Sequence, residues 1–221
     1  MRNIKIAPGE YYHILNRGMS KQLIFHDNRD RTRFLFLILY FQSPVTIQNI
    51  HRPVKSFVEH SVFNIDKEIE QEIVTRKFVE LVSFCLMPNH FHLIVKEIEE
   101  NGMARYMQRV LNGYTKYCNT KYNKSGHLFQ GPYKAVHIRS NEQLLYLSSY
   151  VHRNPRELKE WLNKESSYPW SSYQDFIKKN RFKELLVLDI ISGQFKNKDK
   201  YNKFIKESTA KLLKEELDWI D

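Results

Sequence analysis

Residues 78–95 read FVELVSFCLMPNHFHLIV, with an apolar run on each side of the tripeptide Met87-Pro88-Asn89. Each run has the length and composition of a buried strand, and the proline and asparagine between them favour a turn. Side chains alternate along a strand, so His90 and His92 point to one face while Phe91 points into the core. The stretch therefore predicts two consecutive strands, with two imidazoles side by side on one of them.

The sequence around this pair alternates between strand and helix patterns. A helix from Asn101 to about Lys124 is indicated by apolar residues at three- and four-residue steps, with Asn101 as its N-cap. A capping box opens another helix after Ser140, and Pro155 requires that helix to end near Asn154. The other predicted elements are a strand at Tyr11–Leu15, a helix at Phe34–Phe41 and a strand through Val136 and Ile138. This mixed order predicts an α+β fold, an antiparallel sheet with helices on one face.

Two segments lie outside this pattern. Residues 43–77 are polar and irregular apart from a charged helical piece near Asp66 to Arg76, and we interpret them as an insertion. From Lys178 onward the chain is rich in lysine, with eleven basic against eight acidic residues, and we expect it to be helical toward its end. We therefore predict one domain over residues 1–176, with 43–77 inserted in it, and a C-terminal extension over 177–221.

The positive charge is concentrated in one part of the chain. The formal net charge is +10, and residues 101–139 contain no Asp or Glu and seven basic residues: Arg105, Arg109, Lys116, Lys121, Lys124, Lys134 and Arg139. Tyrosines and a phenylalanine are interleaved with them. Cations hold phosphates and rings stack on bases, so this pattern favours binding of a flexible nucleic-acid strand. The alternative is a solvated helix face whose tyrosines pack inward.

Several classes of protein are disfavoured. The longest apolar run, Phe34–Phe41, is eight residues long, against roughly 20 needed to cross a bilayer. The first residues contain no apolar stretch typical of a secretory signal, and Cys85 and Cys118 form no CxxC pair. We expect a cytoplasmic protein with a polyanion as partner.

Chemistry-bearing residues occur at two places. His90 and His92 can close on one divalent ion, although most such pairs are ordinary surface or core histidines. In YVHRNP, Tyr150 and Asn154 are one helical turn apart, which places a possible nucleophile beside a hard oxygen ligand for Mg²⁺ or Mn²⁺. Alternatively Tyr150 packs its ring and Asn154 caps the helix, and Tyr146 competes as nucleophile. Together the residues suit phosphoryl transesterification on DNA.

Five blocks of the sequence resemble a known family in the family's own order. They are YYHILNRG with IFHD, CLMPNHFHLIV, MQRVLNGYTKYCNTKYNKSGHLFQGPYKA, YLSSYVHRNP and YPWSSYQDF. The chain is similar to the single-tyrosine transposases of insertion sequences that carry a His-hydrophobic-His (HUH) motif. It most resembles their domesticated relatives, the REP-associated tyrosine transposases (RAYTs).

The resemblance implies a ferredoxin-like core with an HUH endonuclease site. It implies that His90, His92 and Asn154 bind Mg²⁺ or Mn²⁺ and that Tyr150 is the nucleophile. Such enzymes cut single-stranded DNA beside a hairpin or palindromic repeat and leave a 5′-phosphotyrosine link. The RAYTs act on bacterial chromosomes, which implies a nucleoid-associated protein. Insertion-sequence members work as dimers with shared sites, so a homodimer is open.

Further DNA contacts follow only loosely from the same blocks. His127 and Gln130 lie in SGHLFQG, where they either contact DNA or order the loop, and Arg17 either contacts DNA or closes a turn. Two other functions remain open. One is a domesticated hairpin-DNA binder without turnover, and the other is a metal-dependent hydrolase that uses water and forms no protein–DNA adduct.

Overall fold

The computed structural model describes residues 5–210, and its centre is one antiparallel sheet. The strands are β1 (Tyr11–Arg17), β2 (Val79–Met87), β3 (His90–Glu97) and β4 (Lys134–Ile138), in the order β2-β3-β1-β4. Pro88 and Asn89 form the turn between β2 and β3. A two-residue turn requires antiparallel pairing, so the strand pair expected from residues 78–95 is confirmed as a hairpin.

The described residues form eight α-helices. Their bounds are α1 (Asn28–Tyr40), α2 (His51–His60), α3 (Lys67–Thr75), α4 (Gly102–Tyr122), α5 (Asn141–Arg153), α6 (Tyr173–Ile177), α7 (Asp189–Ser192) and α8 (Lys198–Glu207). Single 3₁₀ turns occur at Met19–Lys21, Asn154–Glu157, Lys159–Trp161, Glu165–Ser167 and Lys183–Leu185. The order β1-α1-β2-β3-α4-β4 is that of a ferredoxin-like fold, and the predicted α+β class is confirmed.

The helices cover both faces of the sheet. On the first face the ring of Phe34 in α1 lies 4.9 Å from that of Phe91 in β3, and Tyr114 of α4 packs on Phe34 at 5.0 Å. On the opposite face the ring of Tyr150 in α5 lies 5.5 Å from that of His92. The expectation of helices on one face therefore holds for the crossover helices α1 and α4, whereas α5 covers the other. Phe91 and His92 are consecutive strand residues and point to opposite faces of the sheet. Each face is therefore packed by a different helix, α1 against Phe91 and α5 against His92.

Residues 43–77 contain two helices rather than one. The charged helical piece near Asp66 is confirmed as α3. The additional helix α2 buries only Val54 and Phe57, and the ring of Phe57 lies 5.7 Å from that of Phe36 in α1. Its polar composition concealed it, since two apolar residues suffice to dock a ten-residue helix. The interpretation of this segment as an insertion stays a prediction.

The chain after Tyr168 covers the outer edge of β2. Leu86 N–H donates to the carbonyl of Trp170 and Val187 N–H donates to that of Leu81, both at 2.9 Å. These bonds satisfy backbone groups that an open edge strand would expose. α8 then buries Tyr201 and Ile205 in the same core. This helix lies within the predicted C-terminal extension. Residues 211–221, where the expected helical end falls, lie outside the described part, and the extension and its division at residue 176 stay predictions.

Two helix starts were expected to be capped by side chains. Ser140 Oγ accepts from Gln143 N–H at 3.2 Å, as predicted, although the Gln143 side chain accepts from Arg139 N–H instead of Ser140. Asn101 stands at the start of α4 with φ of 61° and makes no side-chain cap bond. Glu97 takes the place of Asn101 as the cap and accepts from Met103 N–H at 2.6 Å.

Between residues 5 and 210 no helix is long and apolar enough to span a membrane. Both cysteines, Cys85 and Cys118, are free and buried.

Candidate active site

His90 opens β3 with its imidazole held in one orientation. Its Nδ1 lies 2.7 Å from Asn89 Oδ1, while Asn89 Nδ2 donates to the carbonyl of Lys21 at 3.2 Å and thereby fixes the amide. An amide oxygen only accepts, so Nδ1 of a neutral His90 carries the proton and donates it. The other ring nitrogen, Nε2, therefore keeps a lone pair, as a metal ligand requires.

Asn154 follows α5 and directs its two amide atoms in different directions. Its Nδ2 donates to the carbonyl of Tyr150 at 2.9 Å, and its Oδ1 lies 3.5 Å from His90 Nε2. Two acceptors facing each other do not attract, but they suit a cation between them. Asn154 thus caps the helix through its nitrogen and offers its oxygen toward His90.

His92 lies two residues further along β3, on the same face. Its ring centroid is 5.0 Å from that of His90, and its Nδ1 is 2.9 Å from Nε2 of His13 in β1. The contact with His13 occupies Nδ1, so Nε2 is the atom of His92 that a metal would contact. A histidine ligand whose second nitrogen is held by another polar group is the usual arrangement at protein metal sites.

Tyr150 projects from α5 toward this histidine pair. Its ring meets the ring of His92 edge-on at 5.5 Å and that of His13 at 6.0 Å. The tyrosine is only 3% exposed, but it lines a cavity of about 460 Å³ that also exposes the histidines. Tyr146, one turn earlier, is half-buried and is not among the residues that line this cavity. The cavity is lined by Leu15, Asn16, Arg17, Lys21, Asn89, His90, His92, Gln130, Pro132, Lys134, Tyr150 and Glu157.

The donor set is compatible with a divalent ion. Among residues 5–210 no group of three or more His, Cys, Asp or Glu side chains is arranged to hold a metal. The set described here differs, because its third donor is the amide oxygen of Asn154 beside His90 and His92. Amide oxygen is a ligand for Mg²⁺ and Mn²⁺, whereas imidazole nitrogen also suits softer divalent ions, so this donor set by itself does not select one ion.

Three of the residues predicted to bind DNA reach this cavity. Arg17, Gln130 and Lys134 line it, and all three are exposed. Arg17 Nε donates to Gln130 Oε1 at 2.6 Å, and Gln130 N–H donates to the carbonyl of Arg17 at 2.9 Å. This pair orders the loop before β4 against the end of β1. Loop ordering is therefore part of what Arg17 and Gln130 do.

Four more predicted residues lie at or just beyond the C-terminal end of α4. Lys116, Lys124 and His127 are exposed there. Lys121 Nζ lies 2.6 Å from a carboxylate oxygen of both Asp27 and Asp30. Lys121 therefore neutralises carboxylates within the fold.

Asp30 is the buried centre of that ion pair. Burial alone would raise its pKa, but hydrogen bonds from Lys121, Tyr122 and Tyr117 outweigh burial and lower the pKa below its ordinary value. The tyrosine hydroxyls donate at 2.6 and 2.9 Å. Part of the basic and aromatic pattern of residues 101–139 is thus a structural cluster at the start of α1.

The remaining two predicted cations lie at the other end of the molecule. Arg105 pairs with Glu99 at 2.7 Å, just beyond the end of β3, roughly 23 Å from His90 at about 3.3 Å per strand residue. Arg109 donates to the carbonyls of Ser43 and Val45 and lies 4.3 Å over the ring of Phe41. The structure therefore does not bring these two arginines to the cavity.

Five polar residues in or beside the cavity were missed by the sequence interpretation: His13, Asn16, Lys21, Asn89 and Glu157. His13 shares the strand face of Leu15 and Arg17 by alternation, and Asn89 directly precedes the HUH histidine, so both carried a usable signal. Lys21 and Glu157 lie in short 3₁₀ turns. No periodicity marks such positions.

Sequence and structure comparisons relate this chain to known proteins. No curated protein matches the chain. A solved structure of a REP-associated tyrosine transposase bound to a REP hairpin is similar at 13% identity and a TM-score of 0.49, covering 86% of this chain and 92% of that one. The sequence model of the family described as "Transposase IS200 like" matches residues 46–154. That segment includes the HUH strand and all of α5, and the chain therefore contains a domain of the IS200-like transposase family.

Proposed function

We propose that this protein nicks and rejoins single-stranded DNA beside hairpin or palindromic repeats, as a REP-associated member of its family. The observation that carries the proposal is one cavity in which Tyr150 meets His92 edge-on, while His90 Nε2 and Asn154 Oδ1 face each other at 3.5 Å. A tyrosine beside three side chains that can hold a divalent ion is the arrangement that phosphoryl transfer to tyrosine requires.

The reaction is a transesterification with Tyr150 as nucleophile. The phenolic oxygen attacks the scissile phosphorus, the bond to the 3′ oxygen breaks, and a 3′ hydroxyl leaves while the 5′ phosphate stays on the tyrosine. Bound Mg²⁺ or Mn²⁺ supplies the Lewis acidity that polarises the phosphate. His13 and His92 hold the Tyr150 ring from the side, which orients it. The phosphotyrosine bond conserves the energy of the phosphodiester, so attack by the 3′ hydroxyl rejoins the strand.

The shape and charge of the cavity favour an unpaired strand. Arg17, Lys21 and Lys134 line it and supply cations for the phosphates on either side of the scissile bond. Tyr150 is 3% exposed at its floor. A flexible single strand can bend one phosphate down to that depth, whereas a stacked duplex cannot enter 460 Å³. This supports single-stranded substrates that flank a hairpin.

All four proposed functional side chains come from one chain. His90, His92, Tyr150 and Asn154 meet within one chain, which supports a site that takes no residue from a second copy. A homodimer built from two such complete sites is compatible with the same geometry. We place the protein with the chromosome in the bacterial cytoplasm, where its proposed substrate lies.

A covalent-trapping gel tests the proposal. Labelled single-stranded DNA carrying the palindromes that flank the coding region is incubated with Mg²⁺ or Mn²⁺ and with wild type, Tyr150→Phe or Tyr146→Phe. We expect a metal-dependent, denaturant-stable adduct with wild type and Tyr146→Phe, and none with Tyr150→Phe. Tyr146→Phe is the matched control, since it removes a hydroxyl from the same helix outside the cavity.

The other outcomes separate the alternatives. An adduct that persists in Tyr150→Phe and disappears in Tyr146→Phe would identify Tyr146 as the nucleophile. Cleavage without any adduct, unaffected by Tyr150→Phe, would indicate a hydrolase that uses water. Tight hairpin binding with neither adduct nor cleavage would indicate a domesticated binder.

A further inference from the structure

A third histidine lies beneath the HUH pair. His13 is in the middle of β1, is fully buried, and is paired in register with Ile94 of β3 and Val136 of β4. Its ring is nearly parallel to that of His92, with 15° between the planes, and the two rings meet edge to edge with their centroids 5.1 Å apart. Its Nε2 lies 2.9 Å from His92 Nδ1. A buried imidazole between apolar strand neighbours is costly unless its polar atoms are used.

The hydrogen bond between these two rings has two possible directions with opposite consequences. If His13 donates, His92 accepts at Nδ1, and a neutral His92 then carries its proton on Nε2. If His92 donates, its proton is on Nδ1 and its Nε2 keeps the lone pair. Only the second arrangement leaves His92 able to bind a metal through Nε2, and it requires His13 to accept.

We propose that His13 is a positioning residue that accepts from His92 Nδ1–H, so that Nε2 of His92 is presented to a divalent cation. The inference rests on the metal site of the proposed function and adds a residue to it. His90 provides the parallel within this chain, because Asn89 Oδ1 accepts from its Nδ1 at 2.7 Å. Each histidine of the pair then has its own acceptor. The buried imidazole of His13 serves His92, and the half-buried amide of Asn89 serves His90.

The test measures binding of Mn²⁺ alone, by electron paramagnetic resonance, to the full chain. His13→Leu removes the acceptor and retains an apolar side chain, and we expect it to weaken Mn²⁺ binding by about 10- to 100-fold. His13→Gln restores an acceptor oxygen and should recover most of the affinity. His137→Gln is the matched control, since His137 lies on the same sheet in β4 with Glu10 as its partner, and it should bind as wild type does.

Ring ¹⁵N resonances of metal-free protein give a second readout, which a purely structural role would not change. We expect His92 to carry its proton on Nδ1 in wild type and His13→Gln, and to lose that preference in His13→Leu. A wild-type His92 protonated on Nε2 would overturn the inference even if His13→Leu failed to fold. Equal Mn²⁺ affinity in a folded His13→Leu would also overturn it.

The two proposals fail in different ways. If wild type and His90→Ala bind Mn²⁺ equally poorly, the metal site itself fails. If wild type binds and His90→Ala does not, the site stands, and the His13 variants decide the role of His13 alone.

Discussion

The two sides of α5 carry adjacent residues of the motif YVHRNP in contrasting environments. On the cavity side, Tyr150 and Asn154 point to the HUH strand, and the oxygen of Asn154 faces His90. On the other side, both ring nitrogens of His152 are bonded within the protein. Its Nε2 lies 2.9 Å from Ser172 Oγ and its Nδ1 lies 2.8 Å from Tyr201 Oη.

Arg153 continues this second side. Its guanidinium donates to the carbonyls of Ile205, Lys206 and Ala210 at 2.8–3.1 Å. Those carbonyls lie in the last turn of α8 and just after it, where the helix dipole favours a cation and most helix acceptors lack an intrahelical donor, although Ser208 N–H also donates to Ile205. Arg153 therefore holds the C-terminal segment against α5.

The contrast separates anchoring from chemistry. Burial lowers the pKa of His152 to about 3, so this imidazole stays neutral and serves only as a hydrogen-bonding link. Asn154, two residues later, is fully buried; it anchors one amide atom and directs the other at His90, which lines the cavity. The helix that carries Tyr150 is thus fixed from behind by residues 205–210, while its front faces the cavity.

A substitution on the cavity side should give the largest effect, on catalysis alone. His90→Ala removes one proposed metal ligand, and we expect DNA cleavage to fall by at least about 10³-fold. Because His90 is only half-buried, its loss should change the free energy of unfolding by no more than about 0.5 kcal/mol. Initial cleavage rates and urea unfolding measure the two effects. Cleavage within ten-fold of wild type would contradict the assignment of the cavity side.

A substitution on the anchoring side should act on stability. Arg153→Ala leaves three carbonyls without their donor, and we expect a loss of about 3 kcal/mol in unfolding free energy. Arg156→Ala is the matched control, since that side chain makes one ion pair with Glu165 at 3.3 Å, and it should cost under about 1 kcal/mol. Urea unfolding measures both. Equal losses would show that Arg153 is not the anchor.

Because His152 is neutral in the folded protein, the free energy of unfolding depends on pH. Its folded pKa of about 3 lies below the unfolded value of 6.5, so the unfolded chain binds more protons between these values. Stability is then fully present above pH 6.5 and falls as the pH falls toward 3. At pH 5 the loss from this residue is about 2 kcal/mol. His152→Gln should be less stable at pH 7 but should lose less between pH 7 and 5. If the free energy of unfolding fell equally in wild type and His152→Gln between pH 7 and 5, His152 would not be the source of the pH dependence.

The smallest effect should come from single cations. Lys134 lines the cavity, and Lys134→Ala should weaken binding of single-stranded DNA by about five-fold. It should also reduce the slope of log affinity against log salt concentration by roughly 0.7. Arg109→Ala should leave DNA affinity unchanged, because Arg109 is occupied by the carbonyls of Ser43 and Val45. Fluorescence anisotropy at several salt concentrations distinguishes them. The reverse ranking would mean that DNA follows α4 instead of the cavity.

The sequence by itself determined the features that depend on short range. Residues 78–95 specified the hairpin and the shared face of His90 and His92, because strand alternation needs no knowledge of the rest of the chain. Likewise the four-residue spacing of Tyr150 and Asn154 specified that they share one side of α5. Ser140 and Pro155 bounded that helix within a residue or two for the same local reason.

The tertiary structure alone decided which of these groups meet and which cations are open to a ligand. His13 and His92 are 79 residues apart and become neighbours only because β1 pairs with β3. Arg109 and Lys134 are equal in a charge count, yet one is bound by carbonyls of its own fold and the other lines the cavity. A basic side chain is open to DNA only if folding leaves its donors unused, and that depends on packing between segments distant in sequence.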